Sequence, residues 1–322
     1  MNISINLPHD FLGAEVRSNY HVSERMKRVW AVQLDMLNEI DRVFSAHNIR
    51  WWVFGGTLLG AIRHKGYIPW DDDIDIAVPR KDYDLLRTIG PKLFRHPYFY
   101  QDEFSEPGIM YGHAKLRNVE TTMITEKYII NNNGSCAFCH GVFVDIFPLD
   151  NIPDDEKERE NWINDIKTIA VPAWRLRKYS HRHIPVKDNN MDAQLALLEE
   201  IKRPNLLFEI YEQLLSKYSV GNTQKVCIYG LWRKDSRWIF NNTCFKETEY
   251  VPFEFLTVPI PGGYNSVLTQ LYGDWWVMRQ DRSMHSEING SFYDTEHSYE
   301  MYVDKVCGVK RDLVKHMLES TK

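Results

Sequence analysis

An acidic run at residues 71–78 has the composition of a metal site. It reads Asp-Asp-Asp-Ile-Asp-Ile-Ala-Val, with acidic and apolar side chains alternating in its second half. Alternation is typical of a strand, and it predicts that Asp71, Asp73 and Asp75 share the face opposite the apolar residues. Carboxylates on one face repel one another, which raises their pKa values unless a cation compensates them. Oxygen ligands of this kind favour Mg²⁺ or Mn²⁺.

A glycine turn lies shortly before the acidic run. Gly55-Gly56-Thr57 follows an apolar stretch of strand length at residues 49–54, and apolar residues at helical spacing come after it. The pattern predicts a strand, a turn and a helix whose first N–H groups bind an anion such as phosphate. Phosphate beside a metal describes a phosphoryl-transfer site. The alternatives are an ordinary turn and a solvated acidic loop, although the apolar residues of the run argue against the loop.

Two further features could contribute charge to such a site. His113, Lys115 and Arg117 alternate along a predicted strand, so all three point the same way and suit a polyanion such as a diphosphate. The alternative is the ordinary polar face of a half-exposed sheet. Asp145 interrupts an apolar strand at residues 141–150, where a buried carboxylate is costly unless it is paired or binds a metal.

The order of these motifs resembles the nucleotidyltransferase fold, in which a strand ending in Gly-Gly precedes a helix and an Asp-apolar-Asp-apolar strand. Gly55-Gly56 and residues 73–76 match that pattern. The longer string GGTLLGAIRHKGYIPWDDDIDIAV is similar to the LicD family of phosphotransferases, which also resembles the catalytic part of fukutin-related proteins. The resemblance covers about residues 25–150 and 245–285. It implies an α+β fold, with a nucleotidyltransferase-like mixed sheet flanked by helices and a helical insertion.

The family resemblance also implies a reaction. Characterised bacterial members move phosphocholine from CDP-choline to cell-surface glycans, which implies a metal-dependent phosphotransferase with a CDP-alcohol donor. The acceptor would be a hydroxyl of a glycan or of its lipid-linked precursor. Asp145 matches the third acidic residue of the pattern, as a metal ligand or as the base that activates the acceptor. The implied site comprises Asp73, Asp75 and Asp145 as catalytic and metal-binding residues, with Gly55, Gly56, Thr57, His113, Lys115 and Arg117 around the donor.

Two other functions stay open. One is a nucleotidyltransferase that passes a nucleoside monophosphate to a small molecule. The other is a catalytically inactive glycan-binding or scaffold protein on the same fold, which the full set of three aspartates argues against. A quaternary ammonium donor would favour an aromatic cage. The aromatic residues near the site in sequence, which could equally belong to the core, are Trp51, Trp52, Tyr67, Trp70 and Tyr111.

A short cysteine motif allows several interpretations. Cys136, Cys139 and His140 form Cys-x-x-Cys-His, which taken literally is a haem attachment motif. We reject that interpretation because nothing else in the sequence indicates export or haem. Half of a zinc site and small thiols near a loop are the remaining alternatives, since no second ligand pair is evident.

The composition sets the class of protein. At 322 residues, with 43% hydrophobic and 13% aromatic residues, the chain can bury a sizeable core. The net charge of −5 gives no sign of a nucleic-acid partner. The first residues do not resemble a signal peptide, and no apolar run approaches ~18 residues. We therefore expect a cytoplasmic protein with reduced cysteines, with peripheral contact at the inner face of the membrane as an open alternative.

The chain divides into four predicted segments. A helical pattern capped by Ser23 begins the second of them, and the composition changes after residue 150. The most basic patch, residues 174–183, suits an anionic glycan or a membrane face, or is a solvated helix end. The segments are an N-terminal arm (1–22), a catalytic core (23–150), a mainly helical insertion or cap (151–240) and a C-terminal segment packing on the core (241–322).

Overall fold

The structure is a computed structural model, and it describes residues 1–106, 109, 112–125, 138–180, 206–218, 223–228, 236–278 and 291–302. The helices within these ranges are α1 (Glu24–Ala46), α2 (Gly55–Arg63), α3 (Arg80–Leu93), α4 (Glu156–Ser180), α5 (Leu206–Leu215) and α6 (Tyr264–Tyr272). The strands are β1 (Glu15–Arg17), β2 (Tyr20–Val22), β3 (Trp52–Val53), β4 (Asp75–Pro79), β5 (Tyr98–Gln101), β6 (Ala114–Asn118), β7 (Thr122–Thr125), β8 (Val142–Ile152), β9 (Lys225–Cys227), β10 (Ile239–Asn241), β11 (Thr248–Phe253), β12 (Leu256–Pro261) and β13 (Ser291–Asp294). The helix predicted at 192–201 lies outside the described residues.

A mixed sheet forms the centre of the fold. Its main path runs β10-β9-β8-β4-β3, and β6 also pairs with β8 and carries β5 on its other side. Strand β4 is parallel to β8, whereas β6 and β9 are antiparallel to it. The predicted α+β class, with a mixed sheet flanked by helices, is confirmed. Because β8 is long, it pairs with three strands and brings their side chains into one row.

Helix α1 supports the sheet. Its N-terminus is capped as predicted, because the side chain of Ser23 accepts a hydrogen bond from the amide of Met26 at 3.1 Å. The apolar stripe of the helix is buried, and Val29, Leu34 and Ile40 are fully inaccessible to solvent. These side chains join the main core with the apolar faces of β4 and β8. Burial on this scale, rather than helical propensity, holds α1 in place.

Two helices differ from the prediction. Helix α2 begins at Gly55 itself, so the glycine pair forms its first turn and not a loop before it. The preceding strand, β3, is much shorter than predicted. The sequence also predicts a short helix at residues 82–89 that Gly90-Pro91 would end, but α3 runs on to Leu93, so that prediction is wrong. Pro91 falls in the last turn, where the loss of one backbone hydrogen bond breaks little of the helix.

A second, smaller core forms where α4, α5, β8 and β9 meet. Its buried side chains are Ile152, Trp162, Ile166, Phe208, Tyr211, Leu215 and Cys227. Beside it, Arg80 Nε donates to Asp150 Oδ1 at 2.5 Å and Arg80 Nη1 donates to Glu212 Oε2 at 2.6 Å. Asp150 follows the apolar part of its strand in the sequence, which favours a turn or cap residue, but it lies inside β8. This buried network ties α3 and β8 to α5.

The elements after residue 240 also contact the core. Strands β11 and β12 form a hairpin, and α6 buries Val267 and Leu268. Strand β13 pairs with β7 in antiparallel fashion, with Tyr293 opposite Met123. Among the residues described, no helix combines the length and the apolar character needed to cross a membrane.

Candidate active site

The acidic run is only partly a strand. Strand β4 begins at Asp75, so Asp71 and Asp73 lie in the irregular segment before it. The prediction that strand alternation aligns all three aspartates is therefore wrong. The carboxylates nevertheless come together, through contacts that lie outside the strand.

Helix α1 shapes this irregular segment from below. Trp30 Nε1 donates to the carbonyl oxygen of Asp71 at 2.9 Å, and Gln33 Nε2 donates to that of Asp72 at 2.8 Å. With its carbonyl groups held in this way, the segment turns its side chains inward. Asp71, Asp72 and Asp73 each place one carboxylate oxygen within 4.8 Å of the others. Asp72, which the sequence interpretation left out, thus belongs to the cluster.

The glycine pair lies directly against these carboxylates. A Cβ atom added to Gly55 would sit 3.0 Å from Asp75 Oδ2, and one added to Gly56 would sit 2.7 Å from Asp71 Oδ2. Gly55 also has a positive φ of 56°, which glycine adopts without strain. A side chain at either glycine would therefore displace one of these carboxylates, which explains the two glycines.

Thr57 fixes the position of β4 relative to α2. Its hydroxyl oxygen accepts a hydrogen bond from the amide of Asp75 at 2.8 Å, and the amide of Phe54 donates to the carbonyl oxygen of Asp75 at 2.9 Å. The first hydrogen bond inside α2 runs from the amide of Leu58 to the carbonyl oxygen of Phe54. The amides of the three residues before Leu58 therefore point out of the helix end, as in anion-binding sites.

A row of charged residues crosses three strands beside the cluster. Asp75 on β4 is paired in register with Asp145 on β8, which is paired in turn with Lys115 on β6. Residues paired in this way project from the same face of a sheet. Asp145 thus faces the same side as Asp75, and its amide donates to the carbonyl oxygen of Ile74 at 2.9 Å.

Lys115 and His113 neutralise Asp145. Lys115 Nζ donates to Asp145 Oδ1, and His113 Nε2 lies 2.9 Å from the same oxygen. Burial alone would raise the pKa of Asp145, but the charges of Lys115 and His113 outweigh it and hold that pKa well below its usual range. Asp145 is therefore ionised at neutral pH and is a weak proton acceptor.

Asp71 is buried among other carboxylates. Burial, followed by the charges of Asp73, Asp72 and Asp75, raises the pKa of Asp71 well above its ordinary value. Closely spaced carboxylates with this electrostatic strain need a bound cation or a bound proton. The oxygen-only donor set fits a hard divalent ion such as Mg²⁺ or Mn²⁺.

Arg117 has other partners than the aspartates. Its Nε donates to Gln101 Oε1, and its Nη1 donates to the carbonyl oxygen of Gly141 at 2.7 Å. The guanidinium also lies over the ring of Phe143, with 5.0 Å between its central carbon and the ring centroid. The structure therefore brings His113 and Lys115 to Asp145, and it ties Arg117 to the neighbouring backbone.

The predicted aromatic cage is mostly core. Trp51, Trp52 and Tyr67 are buried, and Tyr67 stacks on a tryptophan of α1. They cannot surround a donor. Trp70 is half-buried and makes edge contacts with Tyr20 and a histidine of α2's C-terminal cap. Tyr111 is outside the described residues.

The cysteine motif is only half described. Cys136 lies outside the described residues. The last part of the predicted basic patch, residues 181–183, lies outside them as well. Cys139 is buried, and its amide donates to Glu106 Oε1 at 2.9 Å. Burial lowers the pKa of His140 to about 3. In the part of the chain that the structure describes, the aspartate cluster is the group whose ligand atoms are close enough together to hold a metal.

Three residues near the cluster were missed by the sequence interpretation. Tyr293 OH donates to Asp72 Oδ2 at 2.5 Å. Burial, followed by the charges of Asp75 and other aspartates of the cluster, raises the pKa of Tyr272 far above its usual value. The nearby guanidinium of Arg63 acts on Tyr272 in the opposite direction. Tyr272 lies in a Leu-Tyr-Gly-Asp-Trp stretch that resembles the family, whereas no local pattern marks Tyr293.

Comparison with known proteins places the site in a family. Residues 48–183 match the sequence profile of the LicD/FKTN/FKRP nucleotidyltransferase domain. The chain carries a LicD-family domain. The matched range contains the glycine pair, the aspartate cluster, the basic row and Asp145, so the resemblance inferred from these motifs is confirmed.

Several relatives extend the match. The chain is 26% identical to the lipopolysaccharide cholinephosphotransferase LicD of Haemophilus influenzae over 270 residues, which are 79% of this chain and 93% of that protein. It is 48% identical to the human ribitol 5-phosphate transferase FKRP over 40 residues, 12% of this chain and 8% of the relative. An uncharacterized Rickettsia typhi protein is 41% identical over 73 residues, 23% of each chain. The two relatives with named activities are both transferases of phosphorylated alcohols.

Proposed function

We propose that this protein is a metal-dependent phosphotransferase. It moves a phospho-alcohol, with phosphocholine as the first candidate, from a CDP-alcohol to a hydroxyl of a glycan or of its lipid-linked precursor. The observation that supports this most is the close approach of the glycine pair to the aspartates. A Cβ on Gly55 would lie 3.0 Å from Asp75 Oδ2, and a Cβ on Gly56 would lie 2.7 Å from Asp71 Oδ2. The match to the H. influenzae cholinephosphotransferase over most of both chains supports the choice of phosphocholine.

The proposed reaction breaks the phosphoanhydride bond of the donor and forms a phosphodiester with the acceptor. The acceptor oxygen forms a bond to the β-phosphorus of the donor, and the bond between that phosphorus and the bridging oxygen breaks. CMP leaves with the electron pair of the broken bond. The acceptor's proton passes to a carboxylate of the cluster. In such loose transition states, positioning and electrostatic stabilisation supply most of the rate enhancement.

Each site residue has a proposed role. Asp73 and Asp75, with Asp145, would hold Mg²⁺ or Mn²⁺, which supplies Lewis-acid stabilisation of the phosphate oxygens. The low pKa of Asp145 favours this role over that of a base. The amides at the start of α2 would bind a donor phosphate. Lys115 and His113 keep Asp145 ionised and supply positive charge next to the phosphates, whereas Arg117 holds the sheet beneath them.

A donor screen tests this proposal. Purified protein with Mg²⁺ is incubated with CDP-choline, CDP-ethanolamine, CDP-glycerol and CDP-ribitol, and CMP release is measured with and without a glycan acceptor. We expect CMP release from one donor above the others, and none from the Asp73→Asn variant. Asp10→Asn is the matched control, since the Asp10 carboxylate is exposed and forms an ion pair with the neighbouring His9 at 2.7 Å. Equal CMP release by Asp73→Asn and the wild type would contradict the proposal.

A nucleotidyltransferase reaction is the second candidate, because the matched family profile is described as a nucleotidyltransferase domain. The two reactions differ in the phosphorus atom that is attacked. Mass spectrometry of the acceptor distinguishes them, since phospho-alcohol transfer and nucleotide transfer add different masses. An inactive glycan-binding protein would bind the acceptor and release no CMP from any donor.

A lipid-linked acceptor would need access from a membrane. Three consecutive apolar residues after α6, Trp276, Val277 and Met278, are 58%, 44% and 49% exposed. Arg63 Nη1 donates to the carbonyl oxygen of Trp275 at 2.9 Å, which ties this segment to the end of α2. Tryptophan and apolar side chains favour the membrane interface. We therefore propose that the acceptor approaches across this surface at the inner face of the membrane.

Co-sedimentation with phospholipid vesicles tests the proposed surface. We expect Trp276→Ser with Met278→Ser to weaken binding to the vesicles while donor hydrolysis in solution stays unchanged. The exposed Tyr250, on β11, provides a control substitution to serine. Equal binding by the double variant and the wild type would exclude this surface as the membrane contact.

A further inference from the structure

Strand β13 carries a tyrosine from the far end of the chain into the acidic cluster. The strand pairs with β7, and Tyr293 is almost fully buried, with 7% of its surface exposed. The guanidinium carbon of Arg25, on α1, lies 5.4 Å from the centroid of its ring. The position of the phenol is thus set by β7 on one side and by α1 on the other.

The phenol holds the carboxylate of Asp72. Tyr293 OH donates to Asp72 Oδ2 at 2.5 Å, while Gln33 Nε2 holds the carbonyl oxygen of Asp72. Hydrogen bonds to an ionised oxygen are short and strong. Both the backbone and the side chain of Asp72 are therefore fixed, with one carboxylate oxygen within 4.8 Å of oxygens of Asp71 and Asp73.

A neutral donor suits this position. The Asp72 carboxylate is buried among other carboxylates, so its oxygen requires a hydrogen-bond donor. A lysine or arginine would supply that bond together with a positive charge, which would oppose the binding of a metal cation. A phenol supplies the bond and leaves the negative potential of the cluster intact.

We infer that Tyr293 is a positioning residue of the metal site, which orients Asp72 toward the cation that the aspartate cluster binds. The inference rests on the metal-binding part of the proposed function. It adds a residue that lies outside the range matched by the family profile, and it makes the segment around β13 part of the site. Partners that orient metal ligands typically contribute a factor of about 10–100 to metal affinity.

Metal binding without a donor tests the inference. Binding of Mn²⁺ is measured by electron paramagnetic resonance of the free ion, and thermal unfolding is followed in parallel. We expect Tyr293→Phe to weaken Mn²⁺ binding by about 10-fold or more and to change the unfolding temperature little. Tyr302→Phe is the matched control, because Tyr302 OH donates to the carboxylate of Asp294, away from the cluster.

A double variant separates positioning from a structural role. If the phenol acts through Asp72, the Tyr293→Phe/Asp72→Asn variant binds Mn²⁺ no more weakly than Asp72→Asn alone. If Tyr293→Phe does not fold, Asp72→Asn must still lose Mn²⁺ affinity for the inference to hold. If the wild type binds Mn²⁺ and Tyr293→Phe binds it with the same affinity, the inference is overturned but the proposed function is not. A wild-type protein that binds no Mn²⁺ overturns the inference and the metal-dependent function together.

Discussion

Replacing Gly56 with alanine should separate the activity of this protein from its stability. The added Cβ would sit 2.7 Å from Asp71 Oδ2, whereas ordinary contacts begin at about 3.4 Å, so the carboxylate must move by about 0.7 Å. The end of a side chain can make such a shift at low energetic cost. Gly56 is in the first turn of α2, where alanine is favoured over glycine by up to about 1 kcal/mol. The folded state is therefore expected to be as stable as the wild type or slightly more so.

The reaction should be far more sensitive to this shift. A displacement of about 1 Å in a positioned catalytic group can cost about 100-fold in rate, so a shift of this size should reduce CMP release by about 10-fold to 100-fold. Donor hydrolysis by Gly56→Ala is measured as CMP release over a range of Mg²⁺ concentrations, and stability is measured by urea unfolding. Loss of activity at unchanged or raised stability is the expected combination.

Two further glycine variants complete the experiment. Among the described residues, a Cβ at Gly13 would meet the carbonyl oxygen of Asp10 at an ordinary contact distance of 3.4 Å, so Gly13→Ala should leave activity intact. Gly55→Ala should lose both activity and stability, because alanine at a φ of 56° costs about 1–2 kcal/mol. Full activity of Gly56→Ala would refute the reasoning, since it would mean that the position of the Asp71 carboxylate is irrelevant to the reaction.

Further variants address the charges of the site and of the buried network. Asp73→Asn should abolish CMP release, because the cluster loses a proposed metal ligand, while circular dichroism shows a folded protein. Loss of activity through unfolding alone would contradict the metal role. Lys115→Met should destabilise the protein by about 3 kcal/mol at pH 7 in urea, since it leaves Asp145 buried without its main partner. The pKa of Asp145 is lower in the folded protein than its value of about 3.9 in the unfolded chain. The ionised carboxylate therefore stabilises the fold when the pH is above about 3.9, and this stabilisation is lost as the pH falls below that value. The acid-unfolding midpoint of Lys115→Met should therefore rise, and an unchanged midpoint would contradict the pairing. Glu212→Ala should cost about 3–5 kcal/mol in the same urea assay, because Arg80 keeps its buried charge with one partner fewer.

The sequence allowed the elements around the site to be predicted better than the contacts within it. The strand containing Asp145 and the presence of a helix at the glycine pair were predicted from apolar periodicity, although that helix begins at Gly55 itself. The sequence analysis attributed the proximity of Asp71 to Asp75 to strand alternation, but Asp71 lies outside strand β4. Helix α1 captures the carbonyl groups of the acidic segment through Trp30 and Gln33, which keeps that segment out of the sheet. Side-chain donors from a distant helix leave no trace in the local pattern.

The basic row shows a second limit. Alternation indicated correctly that Lys115 and Arg117 leave β6 on one face. It could not indicate their partners, since the guanidinium of Arg117 is taken by Gln101 and Gly141. The link between Tyr293 and Asp72 was equally hidden, because it depends on the pairing of β13 with β7.

The parallel pairing of β4 with β8 has a consequence for the order in which the protein folds. Two of the proposed ligands, Asp75 and Asp145, become neighbours only after the long chain segment between them has closed into a loop. Closing such a loop costs chain entropy, so a pairing of this kind forms late in folding. A nascent chain has therefore not yet assembled the proposed cation site, and the proposed transfer can begin only once the whole sheet is complete.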